Sequence, residues 1–224
     1  MKTLSLLLLM IIASTCDTKS AEKDQASNST SETQSTQAPV EVPSQDGLER
    51  AYFASGCFWC VEEIYESVKG VEEAISGYSG GHTKNPTYEQ SNTGRTGHAE
   101  ANEIIYYPSV VDFKTLVDVY FASQNIEQVN GQGPDRGSQY RSIIFYQNDQ
   151  QKKIIEDKIA MLEKDGLNVA AEVKPFEKFW KAEDYHQDYA KKHPDNGYIQ
   201  NVSIPRFKKF AAKMPEVIRE DAMH

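Results

Sequence analysis

The sequence predicts an α+β domain of two layers, with helices covering a mixed or antiparallel sheet. Three observations carry this. Strand-like and helix-like stretches alternate from residue 48 onward, without the regular spacing of a doubly wound sheet. Two helical stretches have one apolar face each, Phe58/Val61/Tyr65/Val68 and Phe113/Leu116/Val117/Tyr120/Phe121. Hydrophobic residues make up 39% of 224 residues, with 12 Tyr, enough for one packed core plus extras.

The elements follow in order. Residues 50–54 read as a short buried strand. Residues 58–69 form an amphipathic helix, with Glu62, Glu63 and Glu66 between its apolar positions and Gly70 as its stop. A strand over 71–76 follows. Gly77-Tyr78-Ser79-Gly80-Gly81-His82 then opens a Gly-, Asn- and Thr-rich loop to about residue 97, and a loop of that length is usually functional. Residues 98–107 alternate as a strand and stop at Pro108. A helix covers 113–123, and 132–138 is a turn-rich loop. Residues 139–146 are strand-like, and Asp149 is placed to cap a helix over 150–164. Residues 169–176 are strand-like, 185–192 form a short polar helix, and an irregular or helical tail follows.

The first 47 residues read differently. Lys2 is followed by an apolar stretch over 4–12, too short to span a bilayer, and then Ala13-Ser14-Thr15-Cys16. Small residues before a Cys resemble the bacterial lipoprotein signal, although that pattern prefers Gly, Ala or Ser where Thr15 stands. The expectation is an exported, cell-envelope protein, lipidated on Cys16 and so membrane-anchored, with a secreted protein cut nearby as the alternative. Residues 17–47 lack aromatics and are rich in Ser, Thr, Gln and charged residues, the composition of a disordered tether. Fully extended, it reaches on the order of 100 Å. The divisions are therefore 1–16 signal, 17–47 tether and 48–224 domain. A net charge of −9 argues against nucleic acid or an anionic membrane surface as a partner. Monomer is the default.

Cysteine usage narrows the chemistry. The chain has three: Cys16, Cys57 and Cys60. With Cys16 lipidated or removed, one C-x-x-C pair remains, too few for a disulfide scaffold. At the mouth of the 58–69 helix, Cys57 would meet free backbone N–H groups and the positive end of the helix dipole, which favour a thiolate. Cys60 lies one turn on, where it could close a disulfide with Cys57. Three readings remain open: two buried structural thiols, a metal site of Cys57, Cys60, His82 and His98, or thiol redox catalysis. Within the last, a thioredoxin-like oxidoreductase is the generic reading. The aromatics Phe58 and Trp59 between the cysteines suggest instead a substrate with a small apolar group beside its electrophilic atom.

Gly56-Cys57-Phe58-Trp59 resembles the signature of the A-type peptide methionine sulfoxide reductases. The resemblance continues through Gly77-Tyr78-Ser79-Gly80-Gly81, Asn85-Pro86-Thr87-Tyr88 and Thr96-Gly97-His98-Ala99-Glu100. It extends to Asp135-Arg136-Gly137-Ser138-Gln139-Tyr140-Arg141-Ser142 and Ala182-Glu183-Asp184-Tyr185-His186-Gln187. It implies a ferredoxin-like plait and an enzyme that reduces methionine S-sulfoxide, free or in oxidised proteins, with a thioredoxin-like reductant and no metal or organic cofactor. It implies that Cys57 attacks the sulfoxide sulfur, that Glu100 supplies a proton, and that Tyr88 and Tyr140 hydrogen-bond the oxygen. Phe58 and Trp59 would hold the ε-methyl group, and Asp135 and His186 would shape the surroundings. Many members resolve the resulting sulfenic acid with a cysteine in a C-terminal Gly-Tyr-Cys. Here that place reads Gly197-Tyr198-Ile199, which leaves the role to Cys60 or to an external thiol.

Overall fold

The computed structural model describes residues 38–222. The expectations on the signal, Cys16 and most of the tether lie outside the described residues. The first strand, β1 (Glu49–Ser55), leads through Gly56 into α1 (Phe58–Glu66). The chain returns in β2 (Val71–Ser79), passes a loop holding α2 (Tyr88–Asn92), and enters β3 (Ala99–Tyr106). Helix α3 (Phe113–Ala122), a small hairpin of β4 (Gly131–Gln132) and β5 (Asp135–Arg136), and β6 (Ser142–Tyr146) follow. Then come α4 (Asp149–Lys164), β7 (Glu172–Pro175), β8 (Phe179–Lys181), α5 (Tyr189–Lys192) and α6 (Ile204–Lys213).

The main sheet runs β7-β6-β1-β3-β2-β8. Its centre, β6-β1-β3-β2, is antiparallel throughout, with α1 crossing from β1 to β2 and α3 from β3 to β6. This is the split β-α-β plait. Parallel β7 makes the sheet mixed, and antiparallel β8 extends the other edge. The α+β expectation holds.

Strand alternation sorts the side chains. Ala51 and Phe53 of β1 and Ile104 and Tyr106 of β3 join Val61, Ile64 and Tyr65 of α1, with Leu116 and Tyr120 of α3, in the main core. Tyr52, Ala54, Ala99, Ala101, Ile143 and Phe145 face the opposite side and meet Phe176. The β3 row that faces the helices runs Tyr106, Ile104, Asn102, Glu100, turning polar toward the N-terminus of α1.

Several boundaries differ from expectation. Strand β2 continues to Ser79, because Gly77, Tyr78 and Ser79 pair with Ala101, Glu100 and Ala99. A side chain at Gly77 would run into Phe179 and the Trp180 carbonyl, so close approach of β8 requires the glycine. The following loop holds α2, started by a capping box of Thr87 and Gln90. Helix α4 is capped by Asn148, whose side chain accepts from Gln151 N–H, and Asp149 is its first residue. The polar 185–192 helix is broken: a 3₁₀ turn spans Asp184–His186, Asp188 is left-handed at φ 55°, and α5 is one turn. The strand over 169–176 shortens to β7. Residues 38–47 depart from the tether reading. Val40 N–H donates to the Phe176 carbonyl (2.7 Å), and Val42 N–H to Gln147 Oε1 (2.9 Å). Val42 packs on the Phe176 side of the sheet, an apolar contact that average composition concealed.

Candidate active site

The site lies where the polar end of the β3 row meets the start of α1. Gly56 turns the chain at φ +84°, and a Cβ there would stand 2.5 Å from Gln132 Cβ, so only glycine fits. Cys57 is the N-cap residue of α1, and Cys60 lies within the first turn. Both are reduced and buried. Glu100 is 2% exposed, and its Oε2 accepts the Phe58 N–H at 3.0 Å. Asn102, next in the row, donates to the Phe58 carbonyl (3.1 Å) and to Ser76 Oγ (3.3 Å). The first turn of α1 is thus held from below by two β3 side chains.

Burial pushes the Glu100 carboxyl up to about 8. The Phe58 N–H opposes this, and the charges of Asp135 and Cys60 add to it. Glu100 is therefore mostly protonated at neutral pH.

The cysteines behave differently from expectation. Cys57 is raised, by burial first, then by its hydrogen bond to Cys60 and by the charges of Cys60 and Glu100. Cys60 is lowered to about 6, chiefly by the hydrogen bond from Cys57, against the opposing effect of burial, and further by Arg206, Ser203 and Tyr198. Burial, the hydrogen bond to Cys60 and the charges of Cys60 and Glu100 outweigh the helix N-terminus, so the expected Cys57 thiolate is not favoured here. Of the two thiols, Cys60 is therefore the more acidic.

Aromatic side chains wall the cleft. The Phe58 ring lies 4.9 Å from His186, 5.9 Å from Tyr78 and 6.4 Å from Tyr88, centroid to centroid. Trp59 stacks on Tyr189 at 3.8 Å, and its Nε1–H donates to His186 Nδ1 at 3.1 Å. That bond assigns the His186 proton to Nε2, and burial lowers the ring's pKa, keeping it neutral. Glu183 fixes the opposite wall: Oε2 accepts Tyr78 O–H and Oε1 accepts Tyr88 N–H, each at 2.9 Å. Tyr88 and Tyr140 are half-buried, and both phenols are raised, first by burial and then in part by Glu100 and Cys57. At neutral pH they are donors. Asp135, on the β4–β5 hairpin, accepts Tyr198 O–H at 2.5 Å. Every predicted site residue within the described part of the chain, Cys57, Phe58, Trp59, Cys60, Tyr88, Glu100, Asp135, Tyr140 and His186, belongs to this neighbourhood. His98 belongs elsewhere. Its Nδ1 accepts Gly81 N–H, and its Nε2 meets the Thr83 carbonyl at 2.8 Å. Among the described residues, no group of three or more His, Cys, Asp or Glu could hold a metal.

The family model of peptide methionine sulfoxide reductase matches residues 49–217. The chain belongs to the peptide methionine sulfoxide reductase family. It is 44% identical over 173 residues to "Peptide methionine sulfoxide reductase MsrA" of Saccharolobus solfataricus, covering 77% of this chain and 98% of that one. It is equally identical over 170 residues to the protein of that name from Pasteurella multocida, covering 75% and 98%. Among solved structures it resembles methionine sulfoxide reductase A of Corynebacterium diphtheriae, with TM-score 0.61, 33% identity, and 70% and 82% of the two chains covered. Reduced Mxr1 of Saccharomyces cerevisiae gives TM-score 0.63 at 29% identity, covering 69% and 91%.

In this peptide methionine sulfoxide reductase the sequence reading missed Tyr198, Ser203 and Arg206. Cys60 Sγ lies 2.9 Å from Ser203 Oγ and 4.0 Å from the Tyr198 hydroxyl. A single π-helical turn, Ile199–Ser203, carries Ser203. The only local hint was Gly197-Tyr198, noted for the cysteine that does not follow it. Asn102 had a clearer signal, since an Asn two residues from Glu100 continues a polar row into a core-facing strand.

Proposed function

We propose that the domain reduces methionine S-sulfoxide, free and in proteins, to methionine, through Cys57. The observation that carries the reading is the sharing of the α1 N-terminus by a buried cysteine and a buried, protonated carboxyl. Cys57 reaches its thiolate form by moving one proton across the hydrogen bond to Cys60. It attacks the sulfoxide sulfur. Tyr88 and Tyr140 hydrogen-bond the oxygen, and Glu100 protonates it as the S–O bond breaks. Phe58 and Trp59 hold the ε-methyl group. Methionine departs and Cys57 remains as a sulfenic acid. Cys60 then attacks Cys57 sulfur, water leaves, and the Cys57–Cys60 disulfide awaits a thioredoxin-like dithiol. The sum is one sulfoxide and two thiols converted to methionine, a disulfide and water.

Incubation with each epimer of a methionine sulfoxide peptide tests the reaction. Only the S epimer is expected to disappear, and the protein is expected to lose two hydrogens across Cys57 and Cys60. Reduction of both epimers at equal rates would overturn the specificity. We also propose that the protein is exported, acts as a monomer and is anchored by lipid on Cys16. The family match begins at residue 49, so Ala13-Ser14-Thr15-Cys16 lies ahead of the matched domain. Detergent-phase partition of the native protein, lost in Cys16→Ala, tests the anchor; sedimentation tests the monomer.

A further inference from the structure

The Cys60 thiolate is held chiefly by the Cys57 S–H, and that donor is consumed in the first half-reaction. Once Cys57 is a sulfenic acid, Cys60 must attack without it. The groups left around Cys60 are then decisive. Glu63 on α1 and Glu100 on β3 face it as acids, and a charge on either opposes a thiolate. Asp135 lies behind Tyr198, with the Tyr198 O–H already donated to it. Besides Tyr198, whose hydroxyl is 4.0 Å away, two groups favour the thiolate. Ser203 Oγ stands 2.9 Å from Cys60 Sγ, both residues being 1% exposed. Arg206, one turn further along the same segment, is fixed by donating Nε–H to the Ser123 carbonyl (2.8 Å) and Nη2–H to Ser55 Oγ (3.1 Å). Its Nη1 stands 3.6 Å from where a Gly56 side chain would begin, beside the entry to α1.

We propose that Ser203, backed by Arg206, is the positioning residue that returns Cys60 to its thiolate form for the second half-reaction. This rests on the reading of Cys60 as the resolving thiol. In the step itself, the Cys60–Cys57 S–S bond forms and the Cys57 S–O bond breaks. Cys60 is oxidised and Cys57 sulfur reduced. The proton that Cys60 took from Cys57 passes to Glu100, which spent its own on the sulfoxide oxygen, and from Glu100 to the hydroxide, which leaves as water. The Ser203 O–H donates to the attacking thiolate until the new bond forms, and the π-helical turn sets its reach.

The test is a single turnover of the reduced full chain with one equivalent of methionine S-sulfoxide and no reductant, from pH 5 to 9. Methionine release reports the first step. Dimedone trapping of Cys57, read by mass spectrometry, reports unresolved sulfenic acid. For Ser203→Ala we expect the wild-type yield of methionine, with the pH limb of resolution moved up by about one unit. That is about tenfold slower resolution below the limb. Ser203→Thr should restore the wild-type limb, and Arg206→Gln should move it in the same direction as Ser203→Ala. Resolution by Ser203→Ala with the wild-type pH profile would overturn the proposal, as would uniform slowing without a shift of the limb. Cys60→Ser separates the two readings. Accumulation of the dimedone adduct at every pH supports Cys60 as resolver whatever Ser203 does. Normal resolution in Cys60→Ser removes that reading, and this proposal falls with it.

Discussion

Two carboxyls flank the first turns of α1, alike by every simple measure and unlike in what they touch. Glu100 and Glu62 are each 2% exposed, and burial raises each to about 8. Glu100 caps the helix beneath Phe58 and feels Cys57 across the cleft. Glu62 lies on α1 near Ser76 and the Asp188 backbone, which lower its pKa against burial, with the Glu66–Lys191 pair (2.6 Å) nearby. Its Oε2 is buried without a hydrogen-bond partner among the described residues. A raised pKa therefore does not identify the acid. Access to the atom that must be protonated does, and only Glu100 shares a wall with a nucleophile and two phenols.

The largest expected effect separates them directly. Glu100→Gln should lower kcat/KM by about 10²–10⁴-fold, the usual worth of a positioned proton donor. Wild type should lose activity as pH rises through about 8, where Glu100 gives up its proton, and the variant should not show that loss. Steady-state rates from pH 6 to 9.5 on a methionine S-sulfoxide peptide check both. An unchanged alkaline limb in Glu100→Gln would assign the acid elsewhere.

How much of this contrast was legible in the chain depends on how local each signal is. The apolar strand before Gly56 and the Phe58/Val61/Tyr65/Val68 face placed β1 and α1 correctly, because period and punctuation are local. Strand β8 has three residues and no period of its own; it exists because Gly77 lets it approach. The break at Asp188 depends on a single left-handed residue within a helix-like pattern. Glu100 was picked out by motif resemblance, while its burial follows from alternation with Ile104 and Tyr106. The direction of the Cys57 shift was not legible at all. It depends first on how deeply the folded chain buries Cys57, and then on its hydrogen bond to Cys60 and the charges of Cys60 and Glu100.

Smaller losses should follow on the oxygen side of the cleft. Tyr88→Phe and Tyr140→Phe each remove one donor and keep the ring, so each should cost about tenfold in kcat/KM, with the double variant losing more than either. Tyr78→Phe offers the control. Its hydroxyl is committed to Glu183 Oε2, away from the reacting atoms, so the loss should appear in stability, at about 1 kcal/mol, and leave the rate within a fewfold of wild type. Parallel kinetics and urea melts of the three variants would sort the phenols. A rate loss in Tyr78→Phe equal to that in Tyr88→Phe would dissolve the distinction.

The smallest effect on rate is expected at Glu62, and there stability carries the signal. A carboxyl whose folded pKa lies near 8, against about 4.3 in the unfolded chain, keeps its proton on folding through the range between. The unfolded state then binds fewer protons than the folded one, so stability falls as pH rises. The slope is up to about 1.4 kcal/mol per pH unit for one group, fading above pH 8 where both states are charged. Below the unfolded value the contribution is fully present. Glu62→Gln keeps the shape and removes the titration, so its slope from pH 5 to 8 should be shallower than that of wild type by up to this amount. Glu100→Gln should flatten the same slope for the same reason. Denaturant midpoints across that range would therefore show two similar variants, whereas rates on the sulfoxide would show one near wild type and one nearly inactive. A large rate loss in Glu62→Gln at pH 7 would mean that α1 transmits the charge state of its far side to Cys57, and that the two flanks act as one site.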